Sequence, residues 1–145
     1  MSINARQIFV NLPVRNLQKS KSFFTEVGFT FNEQFEDESA TCMVVNETIY
    51  VMLLEEDRYT SFTKKEIPDT NTHSEAIVAL SLDSREEVDE VVNRAFAAGA
   101  GSYNEPQDHG FMYGWSFADI DGHLWEFFHM DMTAAEAEAK TKTQQ

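Results

Sequence analysis

The chain has 145 residues, of which 42% are hydrophobic, enough for one globular domain that buries about two-thirds of its unfolded surface. Its formal net charge of −14, from 25 acidic and 11 basic residues, would repel a phosphate backbone and argues against nucleic-acid binding. One cysteine and no long apolar run predict a cytoplasmic protein with neither a disulfide nor a membrane span.

The first half of the chain, about residues 7–56, predicts a strand, a helix and three further strands. Residues 8–14 alternate and are rich in strand formers, and Asn16 then stands at the N-cap of a helix that ends at Gly28. The helix is expected to bury Leu17, Phe23, Phe24 and Val27. Extended segments are predicted at residues 29–35, 40–45 and 48–54.

Residues 57–75 are polar and contain Pro68, which predicts a connecting segment. A connection of this length is either a plain linker or a lid over a pocket, and the sequence leaves both open.

The second half, about residues 76–130, repeats the same order. A strand at 76–82 precedes a capping box from Ser84 to Glu87, which begins a helix that Gly99 ends. A short extended piece near Tyr103, a loop from Pro106 to His109 and a hairpin over residues 113–129 follow. One unit used twice at a spacing of about 70 residues indicates an internal duplication. Residues 133–145 form a polar tail.

The hairpin contains a single carboxylate, Glu126, in its second strand. Asp121-Gly122 is a strong hairpin turn signal, and a loop with an even number of residues follows from it. With that loop, Glu126 shares a sheet face with Tyr113, Trp115 and Phe117, and the opposite face packs against a helix. A carboxylate on an apolar face needs a cation, a hydrogen bond or a proton. The alternative is that Glu126 points into solvent or pairs with an arginine.

Several motifs together resemble the vicinal oxygen chelate superfamily, which includes glyoxalases, bleomycin-resistance proteins and extradiol dioxygenases. They are the segment from Leu12 to Leu17, Phe23-Phe24, Gly28-Phe29, the segment from Phe111 to Tyr113 and the hairpin from Asp119 to Glu126. The resemblance implies an α+β fold of paired βαβββ modules, whose curved mixed sheets enclose a ligand cavity within one domain over residues 1–132. It also implies a homodimer.

Family enzymes hold a divalent metal through residues on the first and last strands of each module. Phe9, Met52 and Ile77 stand at three of those positions here, and only Glu126 matches the family pattern. One carboxylate cannot hold zinc, nickel or iron tightly, so no metal is firmly expected as a cofactor. A divalent metal held by relocated histidines is the alternative.

These residues predict a protein that binds a small organic molecule, with Glu126 as the catalytic base if a reaction occurs. Asn11 shares a strand face with Phe9 and either contacts the ligand or bonds its neighbours. The expected ligand-binding residues are Phe9, Asn11, Met52, Tyr113, Trp115 and Phe117. The alternatives are a metal-dependent lyase, such as a lactoylglutathione lyase, or an extradiol dioxygenase with a rearranged ligand set, and thirdly a dimerisation module.

Overall fold

A computed structural model describes residues 2–133 of the protein, so most of the predicted tail, from residue 134 onward, lies outside the described residues. The chain divides into two compact units between Asp69 and Thr70, inside the predicted connecting segment.

The first unit contains a four-stranded mixed sheet with the strand order β1-β4-β3-β2, in which β1 and β4 run parallel. Its elements are β1 (Ile8–Val14), α1 (Leu17–Val27), β2 (Thr30–Phe31), β3 (Ala40–Val44), β4 (Ile49–Glu55) and α2 (Glu56–Thr60). Helix α1 begins where the side chain of Asn16 accepts a hydrogen bond from the Lys19 N–H, and it ends at Gly28, whose φ of 125° suits glycine.

Two predictions for this unit need correction. The extended segment expected at 29–35 is a strand only at Thr30–Phe31, because Asn32 caps a 3-10 turn over Glu33–Phe35. The connecting segment expected from residue 57 begins with α2, which has two acidic residues in its first turn and follows β4 directly.

The second unit repeats the arrangement with the strand order β5-β8-β7-β6, and β5 and β8 run parallel. Its elements are β5 (Ile77–Ser81), α3 (Arg85–Ala97), β6 (Gln107–Asp108), β7 (Met112–Ala118) and β8 (Leu124–Met130). Ser84 caps α3 by accepting the Glu87 N–H, as the capping box predicts. Strand β6 lies inside the segment that was expected to be a loop.

The α+β fold class with two βαβββ modules is therefore confirmed. In each unit the long helix covers one face of the sheet. The core residues of the second unit are Val88, Val92, Ala95, Phe117, Trp125 and Phe127, all of them 0% exposed. Between residues 2 and 133, no helix has the length and hydrophobicity that crossing a bilayer requires.

Candidate functional site

The turn between β7 and β8 decides which side chains share a face of the second sheet. Asp119 and His123 are joined by a backbone hydrogen bond of 2.9 Å, the Gly122 N–H donates to the Asp119 carbonyl, and Gly122 has a φ of 87°. This is a three-residue loop with glycine in the left-handed region. The number of loop residues is odd, so the side-chain parity is the reverse of the prediction.

The predicted grouping of Glu126 with Tyr113, Trp115 and Phe117 is therefore wrong. Odd residues of β7 stand opposite odd residues of β8: Tyr113 opposite His129, Trp115 opposite Phe127, and Phe117 opposite Trp125. These side chains lie on the face covered by α3. Phe117 is 0% exposed and stacks on Trp125 and Phe127, and Trp115 contacts Phe96 of α3 edge to face.

Tyr113 also lies on the helix side. Its hydroxyl donates a hydrogen bond to Asp89 of α3. Burial, together with this bond and the Asp89 charge, raises the pKa of Tyr113 to about 12. Tyr113, Trp115 and Phe117 thus attach the hairpin to the helix, and their rings do not face Glu126.

Glu126 lies on the opposite, open face of the sheet. Its direct cross-strand partners are Ser116 on β7 and Ala79 on β5. Gly114 and Phe128 pair on the same face one step along the strands. The carboxylate therefore stands among small residues, with Phe128 as the neighbouring aromatic ring.

A cavity of about 190 Å³ lies over this face. Its polar side comes from the segment after α3, through Asn104, Glu105, Gln107 and His109, and its floor from β7 and β8. The residues that line it are Asn104, Glu105, Gln107, His109, Met112, Gly114, Trp115, Ser116, Glu126, Phe127 and Phe128. The lid hypothesis for residues 57–75 stays a prediction.

Buried Ser116 and half-buried Tyr103 form a polar pair beside the cavity. Ser116 is 2% exposed, and its hydroxyl lies next to the Tyr103 phenol without a hydrogen bond of regular geometry. Burial raises the pKa of Tyr103, and the negative charge of Glu126 adds to the increase. Tyr103 therefore remains a neutral hydroxyl near the carboxylate at physiological pH.

A buried network supports the turn at the end of the Glu126 strand. The Asp119 carboxylate accepts hydrogen bonds from Trp125 Nε1 at 2.9 Å and from the backbone N–H groups of Asp121 and His123. Burial raises the pKa of Asp119, while these donors and His123 oppose the increase. His123 is 5% exposed, and its Nδ1 lies 2.6 Å from Glu75 Oε1.

The candidates from the first unit share one face of their own sheet. Phe9, Asn11 and Met52 are brought together because Asn11 stands opposite Met52, and Phe9 stands opposite Tyr50. Phe9 is 48% exposed and stacks on Tyr50 with ring centroids 4.8 Å apart. The Asn11 side-chain amide donates to the Phe9 carbonyl within the strand. Their roles in ligand binding stay predictions.

The side chains next to Glu126 on its sheet face are small and are not common metal ligands. Its neighbours on the open face are Ser116, Gly114 and Ala79, and His129 lies on the helix side with its Nδ1 2.9 Å from the Leu82 carbonyl. Among residues 2–133, no three His, Cys, Asp or Glu side chains are grouped so that they could hold a metal ion. Zinc, nickel and iron sites need such a group.

Sequence reasoning missed the residues that make the polar side of the cavity. Asn104 and Glu105 lie in an irregular segment and Gln107 in the two-residue strand β6, none of them in a motif, and the predicted parity placed Ser116 on the helix side. One signal was available for Ser116. Asp-x-Asp-Gly also fits a three-residue loop with a glycine bulge, and that reading places Ser116 beside Glu126.

Comparison with known proteins agrees with this fold. The family model described as the Glyoxalase/Bleomycin resistance protein/Dioxygenase superfamily matches residues 6–127. The chain therefore belongs to this superfamily, and the resemblance to the vicinal oxygen chelate proteins is confirmed.

Solved structures give the same fold. The chain is similar to the protein SA1046 from S. aureus, with a TM-score of 0.74 and 26% identity over 87% of this chain and 94% of that one. A family enzyme from Burkholderia phytofirmans PsJN gives a TM-score of 0.72 at 18% identity, covering 84% and 96%. The bleomycin resistance determinant of transposon Tn5 gives 0.61 at 17%, covering 88% and 99%. No functionally curated protein matches the chain.

Proposed function

We propose that this protein binds a small organic molecule in the Glu126 cavity and does so without a firmly bound divalent metal. The observation that supports the proposal is a cavity of about 190 Å³ that has a strand carboxylate in its floor and polar side chains along one side. Concave sites that combine an apolar surface with a few convergent polar groups are the usual form of small-molecule sites.

The charges that line the cavity favour a cationic or hydrogen-bond-donating ligand. Glu105 and Glu126 contribute carboxylates, Asn104 and Gln107 contribute amides, and no lysine or arginine among residues 2–133 lines the cavity. Met112 and Phe128 offer apolar contact beside them. A ligand with an amine and a short apolar body satisfies both parts of the lining. In a catalytic form of this site, Glu126 is the base that takes the proton.

Nuclear magnetic resonance titration with three probes of one shape tests the proposal. Benzylamine, benzyl alcohol and benzoate differ only in the polar group. We expect benzylamine to shift the backbone amides of Gly114, Ser116 and Gln107, benzyl alcohol to shift them less, and benzoate to leave them unchanged. Benzoate binding as strongly as benzylamine, or shifts scattered over the surface, would contradict the proposal.

A matched pair of variants identifies the group responsible. Glu126→Gln removes the carboxylate from the cavity floor, and Glu90→Gln makes the same charge change on the exposed side of α3, where Glu90 pairs with Arg94. We expect Glu126→Gln to weaken benzylamine binding at least about tenfold, because a charge-assisted bond in a concave site is lost. Glu90→Gln should bind the probe like the unmodified protein.

The metal-dependent lyase or dioxygenase remains the competing function, and it requires a ligand set other than the family's usual one. Elemental analysis of protein purified without chelators tests it directly. We expect less than a stoichiometric amount of zinc, nickel and iron. A stoichiometric metal that chelators remove, and whose removal lowers the melting temperature, would favour the metal-dependent enzyme.

We also propose that the protein forms a homodimer in the cytoplasm. Exposed apolar side chains on the edge strands support the dimer: Ile8 and Phe9 on β1 are 53% and 48% exposed, and Ile77 on β5 is 54% exposed. Sedimentation at micromolar concentration tests it, and a monomer at all concentrations would contradict it.

A further inference from the structure

The polar side of the cavity is a weakly attached segment, residues 104–110, which we call the strap. Asn104, Glu105, Gln107 and His109 of the strap line the cavity, and every residue from 104 to 110 is exposed. Its regular structure is only the two-residue strand β6, which pairs at the edge of the sheet with β7. Few buried contacts and a short edge pairing are features of segments that open locally.

One side chain of α3 holds the strap from the other side. The guanidinium of Arg85 donates to both carboxylate oxygens of Asp108, at 2.7 and 3.0 Å, and to the Gly110 carbonyl at 3.0 Å. It also lies over the Tyr113 ring, 5.3 Å from the centroid. Asp108 and Gln107 are adjacent in β6, and their side chains point to opposite faces. Arg85 therefore binds the residue next to one that lines the cavity.

We propose that Arg85 is a positioning residue, and that its ion pair with Asp108 holds the strap closed over the Glu126 cavity. The inference rests on the proposed function for the identity of the site, and not on any property of a ligand. Opening of the strap removes one side of the cavity. The rate at which a small molecule reaches Glu126 therefore increases with the frequency at which the Arg85–Asp108 contact breaks.

The position of the pair indicates what controls it. The side chains of Arg85 and Asp108 are 42% and 54% exposed, so water and salt compete with the contact. The Arg85 hydrogen bonds and the Gly110 N–H lower the pKa of Asp108 to about 2, and both partners therefore stay charged across the physiological range. Ionic strength is the variable that loosens the strap.

A thiol placed at the cavity floor measures access without a ligand. In Glu126→Cys, iodoacetamide, which is neutral and small, alkylates the new thiol at a rate that depends on strap opening. The natural Cys42 interferes little, because it is 1% exposed and burial raises its thiol pKa. Glu126→Cys is then combined with Arg85→Gln or, as a control, with Arg94→Gln, which breaks the Arg94–Glu90 pair on the same helix.

We expect Arg85→Gln to raise the alkylation rate roughly two- to fivefold, and Arg94→Gln to leave it unchanged. Asp108→Asn should match Arg85→Gln, and the two together should add little, since they remove the same contact. Salt at 1 M should bring the rate of Glu126→Cys close to that of the Arg85→Gln variant.

Equal rates for Arg85→Gln and Arg94→Gln, or no response to salt, would overturn the proposal. Urea denaturation confirms that each variant is folded. The alkylation rates do not depend on the benzylamine titration. Failure of the Arg85–Asp108 proposal and failure of the proposed ligand site are therefore observed separately.

Discussion

Ser116 and Glu126 are direct cross-strand partners on β7 and β8, and both lie on the face of the second sheet that α3 does not cover. This pairing places the carboxylate beside a small side chain, which leaves room for a cavity. Phe117, Trp125 and Phe127 of the same hairpin form the core on the other face. The consequences for stability and binding differ sharply between the two faces.

Filling the cavity at Gly114 should block it without unfolding the protein. A Cβ at Gly114 would lie 3.5 Å from the nearest atom, the Phe127 carbonyl oxygen, which is ordinary contact, and its backbone does not require glycine. We expect Gly114→Val to weaken benzylamine binding at least about tenfold while changing the free energy of unfolding by less than about 1 kcal/mol. The titration and a urea denaturation curve measure the two quantities, and unchanged binding would place the probe elsewhere.

Phe117 and Phe128 should lose different amounts of stability on truncation. Phe117 is 0% exposed in the core, so Phe117→Ala should lower the free energy of unfolding by about 3–5 kcal/mol. Phe128 lines the cavity and is partly exposed, so Phe128→Ala should cost about 1–2 kcal/mol and weaken probe binding. Urea denaturation compares them, and equal costs would show that the faces are assigned wrongly.

Gly122 should tolerate alanine worse than Gly110, although both have a positive φ, of 87° and 82°. A Cβ at Gly122 would meet Thr70 Oγ1 at 2.5 Å, whereas nothing lies within 4 Å of one at Gly110. We expect Gly110→Ala to cost about 1 kcal/mol and Gly122→Ala at least about 2 kcal/mol in unfolding free energy. Thr70 also donates to the Asp121 carbonyl, so it cannot turn away freely. Similar losses of unfolding free energy for the two variants would mean that the Thr70 side chain moves aside.

The cost of Asp119→Asn should depend on pH. At any pH the Asn amide replaces one acceptor oxygen by an NH2 group, which then meets either Trp125 Nε1 or the Asp121 and His123 backbone N–H groups and costs about 1–3 kcal/mol. Burial raises the folded-state pKa of Asp119 above 3.8. The contribution of Asp119 to the free energy of unfolding is therefore fully present below pH 3.8 and is lost as the pH rises through the folded-state pKa. Asp119→Asn should therefore cost more unfolding free energy at pH 4 than at pH 8.

Urea denaturation at the two pH values measures this difference, and the exposed Asp57→Asn serves as the control. A cost that grows with pH would mean that the three N–H donors outweigh burial and keep the Asp119 carboxylate charged.

Local signals in the sequence were enough for most of the fold. The caps at Asn16 and Ser84 begin the two long helices where predicted, and apolar runs, alternation and the Asp-Gly turn located β1, β3, β4, β5, β7 and β8. These features depend on residues within a few positions of each other, so a single sequence contains them. The repeated order of elements then indicated the two modules and the family.

The composition of the site depended on tertiary structure. One residue more or less in the Asp119–His123 turn moves every side chain of β8 to the other face, and the motif permits both lengths. The pairing of Gln107 with Gly114, which brings the strap over Glu126, joins an irregular segment to a strand and has no local signature. The sequence by itself determined that Glu126 stands on a sheet of a paired βαβββ fold. The backbone pairing of that sheet decided which residues surround it, because pairing partners are chosen across the chain.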